Sequence, residues 1–327
     1  MPDPVTHYVF GKRVVDALPL FVRKKIEQSI FERALQGPDP WSTSGFYGGK
    51  RKRYANRSSL MHREKCGEFL EELTRLVGQN AAPEGFSLLA GFICHYALDC
   101  KTHPYIICKG GEWDGTPATE YMRGGHVRLE RAIDCFFIRS EFGSIPWLFS
   151  IPGRVMRRST FPECLRPVLD YAFLHVYGWQ NGFDLFNKSL LDERLFYALM
   201  KDPLGVVHYL LRPLSKWKTN YCFYSYYKRD TDSNVIDYMN LSHGLWKHPF
   251  DEKLESCASF FELFNEATND AVRMIWKAYL SVFHGQGTEM DMYGNHNYST
   301  GFACADLRNT VTPRFQALIY NDKYWNR

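Results

Sequence analysis

Histidines that could bind divalent metal ions are concentrated near the start of the chain. Five of the eleven histidines fall within the first 130 residues, and they are His7, His62, His95, His103 and His126. Imidazole nitrogens and carboxylate oxygens are the usual ligands of zinc, together with thiolates. The spacing between these histidines and nearby carboxylates therefore decides whether a metal site is plausible.

Two of the histidines are each followed, four residues later, by a carboxylate. Asp99 follows His95 in FICHYALDC, and Glu130 follows His126 in HVRLE. Residues four apart lie on the same face of a helix, so each pair can chelate one ion. His95 is in line with the apolar Leu88, so its pair points into the core, where an ionised aspartate is costly unless a cation is bound. Two such pairs predict two metal ions.

Four further residues are candidate ligands on weaker local grounds. Asp39 lies between two prolines in GPDPW, which restrict the backbone and would hold a carboxylate over a site. His62 lies on the predicted apolar face of its helix, in register with Cys66. His103 is predicted just past the central helix, in THPY, where the proline fixes the following turn. His7 precedes the first predicted helix.

Each of these features has an ordinary structural explanation when it is taken alone. A single histidine that points inward is more often a hydrogen-bonded core residue than a ligand. A histidine four residues before a carboxylate is common on helices. The combination of two chelating pairs, three further histidines and a constrained aspartate in one third of the chain favours metal binding.

Helices are the elements predicted to position these residues. Apolar residues recur at steps of four over residues 18–35 and Gly37 follows, which predicts an amphipathic helix and its end. A second helix is predicted to begin after Ser58–Ser59 and to end at Gly78. A third, over 86–100, is apolar nearly all round, which is typical of a central buried helix.

The rest of the chain is also predicted to be helical. A fourth helix starts near Gly125, another covers 165–177, and Ser259 with Glu262 predicts a capping box for a long helix. Alternating runs typical of strands are scarce, and residues 214–257 are predicted to form one long connection.

The chain shows no internal repeat and no clear domain boundary. We therefore predict a single all-α, multi-helix domain over residues 1–327, with the metal-ligand core in 1–140 and a helical, loop-rich remainder in 141–327.

Composition is that of a globular protein. Of the 327 residues 45% are hydrophobic and 16% aromatic, which is ample for a packed core. The net charge of +4 is too small to indicate a nucleic-acid partner. No long apolar run and no secretory signal are found, so we expect a cytoplasmic protein without a transmembrane segment, whose nine cysteines are reduced.

The order of these motifs resembles the zinc-dependent phospholipase C family, whose fold is related to that of the S1/P1 nucleases. The matching segments are THYVFG, GPDPW, MHREK, GFICHYALDCKTHPY and GGHVRLE, which together span residues 6–130. Beyond about residue 140 the likeness is diffuse. The resemblance implies an all-α domain of the phospholipase C/P1 nuclease type, in an intracellular enzyme of bacterial type.

The resemblance also implies two or three zinc ions and a set of ligands. The residues implied around a first zinc are His62, His95, Asp99 and Asp39. Those implied around a second are His103, His126 and Glu130. Asp99 would bridge to a third zinc that His7 also binds, and Asp39 would be the general base.

Two departures from the family pattern concern these ligands. Secreted members use their first residue, a tryptophan, as a ligand, whereas this sequence has Met1. The step of four from Asp99 to His103 is also shorter than in the secreted enzymes.

The function implied is zinc-dependent hydrolysis of phosphate esters, in which activated water attacks phosphorus. The substrate would be a small phosphate ester or a phospholipid head group. Two alternatives stay open: a metal-stabilised binding or scaffold protein without turnover, and a nuclease or phosphomonoesterase on the same fold. An open coordination position distinguishes catalytic zinc from structural zinc. The oligomeric state is not predicted.

Overall fold

The computed structural model describes residues 4–44, 51–111, 124–199, 201–204, 206, 210, 236–286 and 292–316, and for residues 51–55 it describes the backbone alone. Within this part of the chain helices dominate, and the only sheet is one small antiparallel hairpin. The prediction of an all-α fold is confirmed.

The helices and strands of the described residues are numbered in chain order. The helices are α1 (Pro4–Ala17), α2 (Leu20–Arg23), α3 (Gln28–Ala34), α4 (Pro40–Thr43), α5 (Arg51–Arg63), α6 (Cys66–Gln79), α7 (Pro83–Gly110), α8 (Gly125–Phe142), α9 (Ile151–Arg154), α10 (Arg166–Tyr177), α11 (Gly182–Leu199) and α12 (Phe260–His284). The strands of the hairpin are β1 (Trp246–His248) and β2 (Asp251–Ser256). Short 3-10 turns occur at Pro146–Leu148, Glu163–Leu165 and Leu307–Thr310.

Helix α7 is the centre of the fold. Its side chains are buried along almost its whole length, and α1, α3, α6, α8 and α12 pack around it. Leu88 and Phe92 are fully buried on the same face as His95. The prediction of a central buried helix is confirmed, and its polar residues are therefore enclosed by protein.

The predicted end of this helix is wrong. It continues to Gly110, and Pro104 lies inside it, so His103 is a helical residue rather than part of a following turn. Proline has no N–H to donate to the carbonyl of Cys100. Gly301 approaches that carbonyl so closely that a Cβ on it would lie 2.6 Å from the Cys100 oxygen. Gly301 therefore packs closely against the turn of α7 in which the proline removes a hydrogen bond.

The single helix predicted over 18–35 is also wrong. The segment forms α2 and α3, which are separated at residues 24–27. Glu27 is extended and its carboxylate accepts hydrogen bonds from the N–H groups of Ser29 and Ile30, which caps α3 and prevents a continuous helix. Helix α1, which precedes it, was not predicted.

The second predicted helix is divided in the same way. Lys65 has a left-handed backbone (φ 54°), so α5 ends and α6 begins on either side of it. His62 therefore lies in the last turn of α5, and the predicted register with Cys66 on one helix is wrong.

Several other element predictions are confirmed. Helix α8 begins at Gly125, α10 covers 166–177, and Ser259 with Glu262 forms the capping box of α12. The predicted long connection of 214–257 lies partly outside the described residues. Its described part, from residue 236, contains the hairpin, which was not predicted.

None of the described helices has the length and apolar character needed to cross a membrane. The eight cysteines of the described segments are all free thiols, which agrees with the prediction of reduced cysteines.

Gly91 allows α3 and α7 to approach closely, because a Cβ on it would lie 2.4 Å from the Cβ of Ala34. We expect Gly91→Ala to lower the free energy of unfolding by about 1–3 kcal/mol, since the added methyl overpacks this contact. Gly78→Ala is the matched control, because its nearest neighbour would be 3.9 Å away. The control is expected to leave stability unchanged or raise it by up to about 1 kcal/mol. Equal urea denaturation midpoints for the two variants would contradict the close packing.

Candidate metal centre

The eight candidate ligands named from the sequence converge on one region around α7. Their positions are His7 on α1, Asp39 at the start of α4, His62 on α5, His95, Asp99 and His103 on α7, and His126 and Glu130 on α8. The three residues on α7 are spaced by four, so they form one row along the helix. The other five side chains meet this row from the surrounding helices.

The ligand atoms form three groups in which every atom lies within 4.8 Å of the others. The groups are His7, His95 and Asp99; Asp39, His62 and His95; and His103, His126 and Glu130. Each group offers three nitrogen or oxygen atoms, the number that catalytic zinc sites commonly take from the protein.

Asp99 is at the centre of the arrangement and is fully buried. Its Oδ1 lies 3.4 Å from Nε2 of His7, and its Oδ2 lies 3.2 Å from Nε2 of His95. The same Oδ2 is 3.8 Å from Nε2 of His62 and 3.6 Å from Nδ1 of His103. One carboxylate thus contacts four imidazoles, which is the geometry expected of a residue that bridges ions.

Asp39 closes the second group from the start of α4. Its Oδ1 lies 3.2 Å from Nε2 of His62 and 3.5 Å from Nε2 of His95. Its side chain is 11% exposed, whereas that of His95 is completely buried. Asp39 therefore lies between the buried imidazoles and the surface.

The third group is formed between α7 and α8. Oε1 of Glu130 lies 2.7 Å from Nε2 of His126 and 3.7 Å from Nε2 of His103. The His126 side chain is 28% exposed, the largest value among the eight candidates. This group is therefore nearest to solvent.

Three of the histidines are oriented by main-chain carbonyls. Nδ1 of His62 lies 2.6 Å from the carbonyl oxygen of Ser58. Nδ1 of His95 lies 3.0 Å from the carbonyl oxygen of Leu35, and Nδ1 of His103 lies 3.0 Å from that of Tyr298. A carbonyl can only accept, so each Nδ1 carries the hydrogen and donates it. In a neutral imidazole the other nitrogen, Nε2, then carries a lone pair. Metal-binding histidines are commonly held in this way.

The chemistry of these atoms fits a divalent cation. In neutral His95, Nε2 has a lone pair and faces the Asp99 and Asp39 oxygens, which are also acceptors. Both nitrogens of His7 and both carboxylate oxygens of Asp99 are buried without a hydrogen bond. Leaving such groups unsatisfied is costly, and a cation between them satisfies both sides.

One comparison with known proteins gives a match. Residues 6–158 match the family model of zinc dependent phospholipase C, and this segment contains all eight candidates. This part of the chain is therefore similar to the zinc-dependent phospholipase C family. The family resemblance seen in the sequence is confirmed. No curated protein and no solved structure matches the chain.

Electrostatics in this segment separate the protonation states of the candidate ligands. Burial favours neutral His95, but the Asp99 and Asp39 carboxylates outweigh it and raise its pKa to about 9. Burial and the neighbouring His95 lower the pKa of His7 to about 4. Burial also acts to raise the pKa of Asp99, yet the charges of His103 and His95 hold it well below its ordinary value. Anionic carboxylates are thus enclosed by imidazoles, as a zinc site requires.

His95 limits how the family's metals can be distributed. It belongs to two of the three groups, but its Nδ1 is hydrogen-bonded to Leu35, so only Nε2 can bind an ion. A metal ion in the first group and one in the second would therefore compete for this nitrogen, unless Asp99 held the two ions together. The number of zinc ions and the individual ligand assignments stay predictions.

Sequence reasoning missed two contacts that bring the candidate ligands together. Gly37 was predicted only as a helix end, but its backbone (φ 47°) lies against His95, and a Cβ there would be 2.4 Å from the imidazole ring. Asp134 of α8 accepts hydrogen bonds at 3.1 Å from the N–H of Val5 and at 2.7 Å from that of Thr6. This carboxylate ties the start of α1 to α8 and so places His7. Of these two contacts, only that of Gly37 could have been suspected from the sequence, because a glycine permits the backbone to come close to another side chain.

Met1, whose difference from the family was noted in the sequence, lies outside the described residues.

We expect zinc binding at pH 7 to release about one proton from His95, because this histidine is charged below about pH 9 in the metal-free protein and zinc needs it neutral. Zinc affinity should therefore fall about tenfold for each pH unit below 9 and level off above it. Isothermal titration calorimetry in two buffers of different ionisation enthalpy counts the released protons. A variant of the exposed His175, H175N, should release the same number. No proton release at pH 7 would contradict this electrostatic account.

Proposed function

We propose that this protein is a zinc-dependent hydrolase of phosphate esters, with phosphodiesters of the phospholipase C type as its substrates. The observation that carries the proposal is the set of three groups of imidazole and carboxylate side chains, in each of which the possible ligand atoms lie within 4.8 Å of one another. The family match over residues 6–158 supports the same chemistry.

The candidate residues have two proposed roles, which are to hold zinc and to accept a proton. The groups that would hold zinc are Asp39, His62 and His95; His103, His126 and Glu130; and His7 with Asp99. Zinc bound there would act as a Lewis acid on the phosphoryl oxygens and lower the pKa of the attacking water towards about 7. The carbonyls of Ser58 and Leu35 keep the lone pairs of His62 and His95 directed at the centre.

Asp39 is our candidate for the residue that accepts a proton. It is the only candidate carboxylate of the three whose side chain is more than 10% exposed, while Asp99 is fully buried and Glu130 is 5% exposed. The proline that follows Asp39 fixes the start of α4 and restricts the carboxylate. A constrained carboxylate at the edge of the site can orient the attacking water and take its proton.

Charge balance favours an anionic substrate. The candidate ligands include three carboxylates, Asp39, Asp99 and Glu130, against neutral imidazoles at the remaining positions. Two or three divalent ions would exceed these three negative charges and leave the centre positive. A phosphate ester carries the complementary charge.

The scaffold alternative requires closed zinc sites, in which the protein fills all four positions. The eight candidate side chains form three groups, and two of these groups share His95, so they cannot give three zinc ions four separate ligands each. His126 is also 28% exposed, so the third group borders solvent. Open positions beside solvent suit catalysis better than a purely structural role.

We expect Asp39→Asn to lower kcat for a chromogenic phosphodiester by about 10²–10⁴-fold, because an amide cannot accept the proton from water. Bound zinc should largely remain, since the amide oxygen is still a ligand. Asp16→Asn is the control, as that carboxylate is 76% exposed and pairs with Arg23, which is not a candidate ligand. Full activity of the Asp39 variant would remove its role as base.

We expect the zinc-loaded protein to hydrolyse bis(4-nitrophenyl) phosphate and short-chain phosphatidylcholine faster than 4-nitrophenyl phosphate or single-stranded DNA. Treatment with 1,10-phenanthroline should abolish turnover, and added zinc should restore it. A preference for the monoester or for DNA would favour the phosphomonoesterase or nuclease alternative. Bound zinc without turnover on any of the four would favour the scaffold.

A further inference from the structure

A segment near the C-terminus, residues 292–304, lies against the candidate metal centre, and we call it the strap. It is held on α6 by a hydrogen bond of 2.9 Å from the Gly67 N–H to Oδ1 of Asn295. It is held on α7 by a hydrogen bond of 2.7 Å from the Tyr96 hydroxyl to the Tyr293 carbonyl. The strap lies beyond residue 158, outside the part of the chain that matches the family model.

Tyr298 is the strap residue that touches the candidate ligands. Its N–H donates to the carbonyl of His62 at 2.8 Å, and its carbonyl accepts from Nδ1 of His103 at 3.0 Å. Its ring meets the His62 ring edge to face, with a centroid distance of 5.1 Å, and is tilted beside the His95 ring at 5.7 Å. One residue that is 1% exposed thus contacts three candidate ligands from all three groups.

We propose that Tyr298 is a positioning residue of the metal centre, whose carbonyl sets the tautomer of His103 and whose N–H and ring hold His62 in place. The inference rests on the proposed function, because a tautomer matters here only if the imidazoles bind an ion.

The tautomer of His103 decides whether the third group can bind metal. With the hydrogen on Nδ1, the lone pair on Nε2 faces Glu130 at 3.7 Å. With the hydrogen on Nε2 instead, that nitrogen could not bind an ion. The carbonyl of Tyr298 selects the first arrangement, because a carbonyl can only accept a hydrogen bond.

His103 differs from the other oriented histidines in where its partner comes from. The Ser58 carbonyl is four residues from His62 and the Leu35 carbonyl is 60 residues from His95. Tyr298 is 195 residues from His103. The third group therefore has the carbonyl that orients His103 only when the strap has docked on α7.

The turn over 297–301 fixes the direction of the Tyr298 carbonyl. Oδ1 of Asn297 accepts from the N–H of Ser299 at 2.8 Å, and the Gly301 N–H donates to the Asn297 carbonyl at 2.8 Å. Gly301 has φ 69°, and a Cβ on it would lie 2.6 Å from the Cys100 oxygen of α7. A side chain at 301 must therefore move this turn away from the helix.

The test compares Gly301→Val with Gly285→Val, which has a similar backbone conformation (φ 62°) but no neighbour within 4 Å of an added Cβ. Both variants carry the same local strain, but only the first displaces the strap. We expect zinc affinity, measured by competition with a chelator, to fall about 10–100-fold in Gly301→Val relative to Gly285→Val. Nitrogen-15 spectra of the histidines should show His103 with hydrogen on Nδ1 in the wild type and a mixture of tautomers in Gly301→Val.

Two further variants keep the test decisive if Gly301→Val does not fold. Tyr298→Phe retains the backbone and the ring and should bind zinc as the wild type does, whereas Tyr298→Ala loses the ring contacts with His62 and His95 and should bind more weakly. Equal zinc affinity of these two variants would overturn the role of the ring, and hydrogen on Nε2 of His103 in the nitrogen-15 spectrum of Tyr298→Phe would overturn the role of the carbonyl. So would an unchanged His103 tautomer and unchanged affinity in folded Gly301→Val. Wild-type protein that binds no zinc would instead overturn the proposed function.

Discussion

Acceptor atoms face one another inside the core, and the rest of the structure is organised around this contact. When His95 is neutral, its Nε2 carries a lone pair because Nδ1 donates to the Leu35 carbonyl, and this lone pair lies 3.2 Å from a carboxylate oxygen of Asp99. Both side chains are completely buried, so either a proton on His95 or a metal ion, rather than water, must relieve the repulsion. A cation between them converts an unfavourable contact into two favourable ones, and a divalent ion also satisfies His7 on the other side of the carboxylate.

The fold meets this requirement by enclosing one polar row of a central helix. Helix α7 carries three candidate ligands at steps of four, and five helices pack around it. Glycines allow backbone to reach the row closely, with Gly37 against the His95 ring and Gly301 against the carbonyl released by Pro104. The N-terminal segment supplies all the candidate ligands, while the strap supplies the carbonyl that orients His103. The metal centre thus depends on both ends of the chain.

Local periodicity was enough to predict part of this site. In the pairs His95–Asp99 and His126–Glu130 the two residues are one helical turn apart. The two side chains of each pair therefore meet as soon as their segment is helical. The break at Lys65 could not be predicted, because a left-handed lysine has no sequence signal. The helix through Pro104 also contradicts local preference, and the residue that packs on this turn, Gly301, is about 200 positions away in the sequence. The hydrogen bond from His103 to the Tyr298 carbonyl could not be predicted either, because every residue has a main-chain carbonyl.

The most direct test of the central claim is a crystal structure of the zinc-loaded protein with anomalous diffraction recorded on both sides of the zinc edge. The account predicts anomalous peaks between the imidazoles and carboxylates, about 2.0–2.2 Å from Nε2 of His62 and from an oxygen of Glu130. Absence of a peak in this region, with the same side chains still in contact, would show that a proton rather than a metal joins them. Zinc bound only at other residues would contradict the account as well.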